Sequence, residues 1–466
     1  MIERTFLFFD DKNILSRTGV ERKYGVPKLA SIYRDPCAVT PTGFPSIWYD
    51  EKDSLYHMFY NGYVSNLPIQ LAAVSKDGIH WEPRNTAAEA GIAEPEAAHQ
   101  LLDIRGAELA CVYEDRTAPP DQRLKALMTI GDPDAVRIMH DPVYTSGDGI
   151  HWTLQPVEWH NHAAEPGAGC FYNAITGKHV ITARPDAGVR RVGLIETEDF
   201  KTFSDLQLVM TPDSMDEPLA EHYGMPVFPY KDYFVGFLWI FHVPNIRQRK
   251  YWGGKLDAQL VYSYNGTHFN RSLREPFLSN DSSPETAGLL IPNALYETRD
   301  KKLLIAASIG PHEHGYFKRG GALAIYELRQ DGFISFRAEE EGELITIPMV
   351  YGGGDLSVNV AAETFSCALY TDNSEQEPMH LLSHDLVPLE GFGHDAFERF
   401  SGDSTDHVLR WRSADLQSLK GKVLYLECRM KRGDLYAIKG ALTPMMICDL
   451  ARYHLYGILP NLTGIG

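Results

Sequence analysis

The chain has 466 residues, of which 44% are hydrophobic, 11% aromatic and 23% charged, and a formal net charge of −18. That length exceeds one ordinary core, and the acidity, with no run of Lys or Arg, argues against nucleic acid as a partner, because such binding rests on neutralising phosphates. No apolar stretch reaches the ~18 residues of a membrane helix, and the scattered cysteines, without Cys-x-x-Cys spacing, read as reduced thiols of a cytoplasmic protein.

The N-terminus carries one short apolar run among early charges, so Thr5–Phe9 reads as a strand and not as a signal peptide. A unit then repeats, each copy offering three strands and a turn. The first copy runs through Pro45–Tyr49, Leu55–Tyr60 and Ile69–Val74, and the second through Leu109–Tyr113, Leu124–Met128 and Asp141–Tyr144. The third has Gly169–Tyr172, Lys178–Arg184 and Arg191–Ile195. The fourth has Gly224–Phe228, Tyr233–Trp239 and Gln259–Tyr262, and the fifth Ile291–Tyr296, Leu303–Ser308 and Ala322–Tyr326.

Every copy ends on one signature. Ser75-Lys-Asp-Gly-Ile-His-Trp81 returns as Ser146-Gly-Asp-Gly-Ile-His-Trp152, and more loosely at 197–203, 263–269 and 330–336. Asp-Gly and Asn-Gly supply the positive φ of a tight turn, and the aromatic packs on the next pleat. Self-similarity at about 50–70 residues signals a repeat architecture. Five four-stranded meanders predict an all-β chain, a five-bladed β-propeller over residues 1–338 with the N-terminal strand included.

The acidic run Glu339–Glu343 reads as a solvated linker. Beyond it, Asp355–Asn359, Ser366–Tyr370, Val408–Arg412, Val423–Arg429 and Asp434–Ile438 alternate as strands of an antiparallel β-sandwich, giving a second domain over 339–466. A short helix is expected near Met445–Leu455. Gly-rich phosphate loops and Ser/His/Asp nucleophile elbows are absent as motifs.

These features resemble the furanosidase superfamily, the invertase/levanase-type (family-32-like) and arabinanase/xylosidase-type (family-43-like) glycoside hydrolases. The residues carrying the resemblance are the Ser-x-Asp-Gly-x-His-Trp turns, Asp35-Pro36, Tyr223-Gly-Met-Pro-Val-Phe228 and Asp331-Gly-Phe-Ile-Ser335. The resemblance implies a site at the mouth of a central channel, with one acid per early blade. Glycosidic cleavage needs two carboxyl groups flanking the bond, one protonated and one ionised.

On that basis the expected catalytic carboxylates are Asp35 as nucleophile or base, Glu165 as general acid and Glu221 as a third carboxylate. Glu165 and Glu221 precede their strands at the same offset. Asp103, Glu108 and Asp115 remain alternatives for the early-blade carboxylate, although the frame of Asp115, like that of Asp50, places it in the hairpin turn at the far end. Arg184, His222 and Trp159 are the candidate substrate-binding residues, with Trp252 as a further aromatic. No metal site or cofactor is required, though a channel Ca²⁺ is compatible with such folds. The expected activity is cleavage of a glycosidic bond in a short oligosaccharide or glycoside. A glycoside phosphorylase, marked by clustered Arg and His, and a non-catalytic sugar-binding propeller are the alternatives.

Overall fold

The computed structural model describes residues 2–36, 40–64, 67–104, 106–131, 139–160, 169–185, 189–244, 253–280, 283–315, 321–372, 385–412 and 414–460. They are mostly strands, with one α-helix, and fold as two compact units, Pro27–Leu328 and Met1–Val26 with Arg329–Ile465. Residues 2–26 thus group with the C-terminal strands, whereas the sequence placed them with the repeats.

In Pro27–Leu328 the repeats are antiparallel meanders. The first pairs Thr40–Asp50, Leu55–Val64, Leu67–Ser75 and Glu82–Pro83 in chain order. The second runs Ala107–Glu114, Leu124–Gly131, Pro142–Ser146 and Thr153–Glu158, and the third Cys170–Asn173, Lys178–Ala183, Val192–Thr197 and Gln207–Met210. In the fourth, a first strand broken into Glu221–Gly224 and Val227–Tyr230 pairs with Tyr233–His242, followed by Lys255–Ser263 and Asn270–Arg271. The fifth holds Leu289–Glu297, Leu303–Gly310 and Ala322–Leu328, and its fourth strand is Lys28–Tyr33 from the start of the unit. A single parallel bridge, Leu256 to Leu289, joins the last two meanders.

The middle strands are near-continuous apolar runs because both of their faces are covered. Phe59 and Ala72 of the first meander pack on Leu109, Leu124 and Ala126 of the second. Cys111, Leu127 and Val143 pack on Ile181 and Ile195, and Phe171 and Val180 on Met225, Leu238 and Val261. The fifth returns to the first through Leu304, Ala306 and Ile325 against Ile79 and Trp81.

In the first four meanders the signature joins the third and fourth strands. Asp77 Oδ1 accepts from the Ile79 and His80 N–H groups at 2.8 Å each, and Ser75 Oγ accepts from Gly78 at 2.9 Å. Asp148 and Asn265 repeat the arrangement, with φ of +76°, +75° and +74° at Gly78, Gly149 and Gly266. In the third copy the position is Phe200, at φ +56°.

The second unit is one ten-stranded sheet around Val423–Gly440, which pairs with Ile334–Thr346, Ser357–Thr371 and Arg4–Leu7. The acidic run expected to be a linker lies inside Ile334–Thr346. Arg429 and Arg432 on the neighbouring strand pair with Glu343 and Glu340, so cross-strand charge pairing lets this run form sheet. The helix is Ile447–Tyr456, closed by Gly457 at φ +67°.

Candidate functional site

Arg190 reaches both Glu221 and Tyr223, whereas His222 between them lies against Asp216, on the other side of a strand bulged at Tyr223. Two guanidinium groups from the third meander lie against the Tyr223 ring, Arg184 at 4.5 Å from its centroid and Arg190 at 5.2 Å. Arg190 is also 5.0 Å from the Phe241 ring, and its Nη1 meets Glu221 Oε2 at 2.5 Å. His314, which follows Leu303–Gly310 of the fifth meander, places Nε2 2.9 Å from Tyr223 Oη. Three meanders therefore meet at one aromatic ring.

The first meander joins through Phe44. Its ring stacks on Trp239 at 5.7 Å, and Tyr223 and Trp239 are 6.4 Å apart. Phe44 has φ +52°, and its N–H donates to Ser308 Oγ at 3.1 Å. A left-handed backbone at a bulky residue is strained and persists only where its surroundings fix it.

Arg184 is 4% exposed, while the side chain of Glu221 keeps 13% exposure. A guanidinium stacked on a ring retains its in-plane N–H groups for hydrogen bonding. The cluster therefore combines a buried tyrosine, two cations, an imidazole and a partly exposed carboxylate. That set can hold sugar hydroxyls or an oxyanion.

Asp35 occupies a different setting. Its side chain is only 1% exposed, and Oδ2 accepts from Tyr60 Oη at 2.5 Å and lies 2.7 Å from His99 Nε2. Tyr60 also meets Tyr33 Oη at 2.9 Å. Burial, reinforced by Tyr33 and Asp35, pushes the Tyr60 hydroxyl well above its ordinary pKa, so it remains a donor. The expected open nucleophile or base at Asp35 is instead a sequestered, doubly hydrogen-bonded carboxylate. Glu108 bonds the Tyr63 hydroxyl, and Asp103 is exposed. Glu165 and Trp252 lie outside the described residues.

Two expected binding residues are corrected. Trp159 is 1% exposed, packs with Ile181 and Ile195, and donates Nε1–H to the Met128 carbonyl at 2.9 Å. The strand Thr153–Glu158 delivers it into the core, and it cannot stack on a sugar. His222 is fully buried on the opposite face from Glu221. Burial, and secondarily the Arg271 charge, lowers its pKa to about 4, leaving a neutral core histidine.

The far ends of the first strands border another cavity, about 810 Å³, lined in part by Asp50, Glu114, Asp115 and Arg123. Their carboxylates are committed to local structure. Asp50 accepts from Lys52 N–H at 3.0 Å and pairs with Arg123. Burial opposes its charge, but these two donors outweigh burial and lower its pKa. Asp115 Oδ1 accepts from the N–H and hydroxyl of Thr117 at 2.9 and 2.7 Å, an Asx turn of the kind its frame indicated. Among the described residues no group of three or more His, Cys, Asp or Glu is arranged to hold a metal ion.

Arg190, Tyr223, His314 and Phe44 were not singled out as site residues from sequence. Only the Tyr223-Gly-Met-Pro stretch carried a signal, and it did not indicate an aromatic–cation cluster.

No family model matches the chain, and no curated protein matches it. Among solved structures the chain is similar to an endo-arabinase from Bacteroides thetaiotaomicron, at 12% identity and TM-score 0.43 over 65% of this chain and 96% of that one. It is similar also to the catalytic domain of a GH62 α-L-arabinofuranosidase from Coprinopsis cinerea, at 9% identity and TM-score 0.42 over 66% and 97% of the two chains. A third is a structure from the GH130 family of mannoside phosphorylases, which contains glycoside hydrolases that target β-1,2 mannosidic linkages in Candida mannan. It shows 13% identity and TM-score 0.44 over 65% and 94%. At these identities and TM-scores the likeness assigns the chain no family and no residue a role.

Proposed function

We propose that the chain is a glycoside-cleaving enzyme whose five meanders are the blades of a β-propeller, followed by a β-sandwich built from the C-terminal strands. The reading rests on one observation above all, the partly exposed Glu221 carboxylate held by Arg190 beside Tyr223 and Arg184. Guanidinium and carboxylate groups bind the hydroxyls of a sugar.

In this reading Glu165 protonates the leaving oxygen as general acid. Glu221, held by Arg190, serves as the opposing base or nucleophile. Asp35, buried with His99 and Tyr60, orients the mouth through those hydrogen bonds.

A second reading is favoured by the convergence of Arg184, Arg190 and His314 on one ring. Such a cationic cluster suits inorganic phosphate, which would replace water as the attacking group in a glycoside phosphorylase. Product analysis with and without phosphate separates the two. Free sugar formed at a phosphate-independent rate supports hydrolysis, sugar phosphate formed only with phosphate supports phosphorolysis, and no product from any glycoside in either condition defeats both.

A further inference from the structure

In the unit built around Val423–Gly440, strand register gathers polar side chains on one face of the sheet. Ser366 lies opposite Arg429, Ala368 opposite Glu427, and Glu343 opposite Arg429 from the other side. This face borders a cavity of about 670 Å³ whose lining includes Thr18, Glu343, Thr364, Ser366, Arg399 and Arg429. The segment after Val387–Pro388 brings His394 to it. His394 Nδ1 is 2.9 Å from Ser366 Oγ, and its Nε2 is 3.3 Å from Glu427 Oε1.

The protonation states suit proton transfer. Burial works against the Glu427 charge, but the Tyr370 hydroxyl, Glu343, Arg429 and His394 outweigh it and lower the Glu427 pKa. Burial, and then the Arg429 charge, holds His394 below its ordinary value and therefore neutral at pH 7. With Nε2–H donating to Glu427, the Nδ1 lone pair faces the Ser366 hydroxyl. Glu427 is 4% exposed, whereas Ser366 is half-buried at the cavity wall, which is the order of access a nucleophile and its supporting acid require. A latch that only pinned His394 to the sheet would need no cavity beside the serine.

We propose that Ser366, His394 and Glu427 form a second hydrolytic site, with Ser366 as nucleophile, acting on a short acyl ester of a polyhydroxylated carrier. Ser366 Oγ attacks the ester carbonyl carbon as its proton passes to His394 Nδ1. The carbonyl electron pair moves onto an oxygen within the field of the cavity-lining Arg399. Collapse breaks the bond to the carrier, whose alkoxide takes the proton from Nδ1. Water then attacks the acyl-serine by the same route, releasing the carboxylic acid and restoring the serine. Short acyl groups and polar carriers follow from the lining, which is hydroxyl and charged at Thr18, Thr364, Glu343 and Arg399. No linear motif announces this site, because its three residues lie on separate segments.

The test exposes the full-length chain to an alkyl fluorophosphonate, then assays p-nitrophenyl acetate and an acetylated monosaccharide. One phosphonyl adduct on Ser366 by peptide mapping is expected, with ester turnover lost by about 10³-fold or more in Ser366→Ala and His394→Ala. Absence of an adduct on Ser366 of the wild-type chain overturns the proposal even where a variant fails to fold. So does turnover in a folded Ser366→Ala chain equal to wild type.

Discussion

His222 and His242 lie one strand apart in the fourth meander and are driven in opposite directions. Burial lowers His222 to about 4, so it binds a proton more readily when unfolded. Its stabilising effect is complete above pH 6.5 and is lost as the pH falls towards 4, worth about 3 kcal/mol at most. His242 lies 3.0 Å from Asp257 and 3.1 Å from Glu217. The Asp257 interaction, against the opposition of burial and with help from Glu217, raises it to about 9. That contribution is present below pH 6.5 and is lost as the pH rises through 9. Urea midpoints across pH 4–9 should show the acid limb reduced in His222→Asn and the alkaline limb reduced in His242→Gln; unchanged limbs would refute the assignments. Trp159→Ala should cost about 3–5 kcal/mol in the same assay. It should leave KM for any glycoside substrate unaltered in the folded fraction, which a sugar-stacking residue would not do. Sequence position could not reveal these environments, since a tryptophan beside a long connection and a histidine beside Glu221 look equally exposed until strand register is known.

Backbone geometry at the repeated turn sets the strongest constraint on its glycines. Gly78 sits at φ +76°, and a Cβ there would come within 3.2 Å of Tyr296 and Thr298. Gly78→Ala should therefore destabilise by about 1–2 kcal/mol, from the left-handed backbone alone. Gly91, also at positive φ, has open space around it and should show the backbone cost without the packing cost. Equal urea midpoints for Gly78→Ala and wild type would contradict this reading of the turn. The turn was readable because Asp-Gly chemistry is local. The acidic run at 339–343 was misread for the opposite reason. Its partners, Arg429 and Arg432, lie almost a hundred residues away, and only pairing across the sheet makes so many carboxylates compatible with a strand.

At the level of the molecule, the strand order within each meander followed from sequence because each meander is built from neighbouring segments. The fourth strand of the fifth meander did not, since Lys28–Tyr33 reaches it from the other end of the unit. The same distinction holds for the candidate site. Glu221 stood out by its offset within one repeat, whereas Arg190, Tyr223, His314 and Phe44 come together only where four meanders converge. The surroundings of Asp35 were not legible in the sequence, because its burial depends on Tyr60 and His99 from other segments. The proposed glycoside cleavage at the Glu221 cluster is tested by turnover of a panel of aryl furanosides and pyranosides, with and without phosphate, by the wild-type chain and by Glu221→Gln. We expect aglycone release by the wild type and a loss of about 10²–10⁴-fold in a variant that keeps the native near-UV circular dichroism. A Glu221→Gln rate equal to wild type, or no release from any member of the panel in either condition, would contradict the claim.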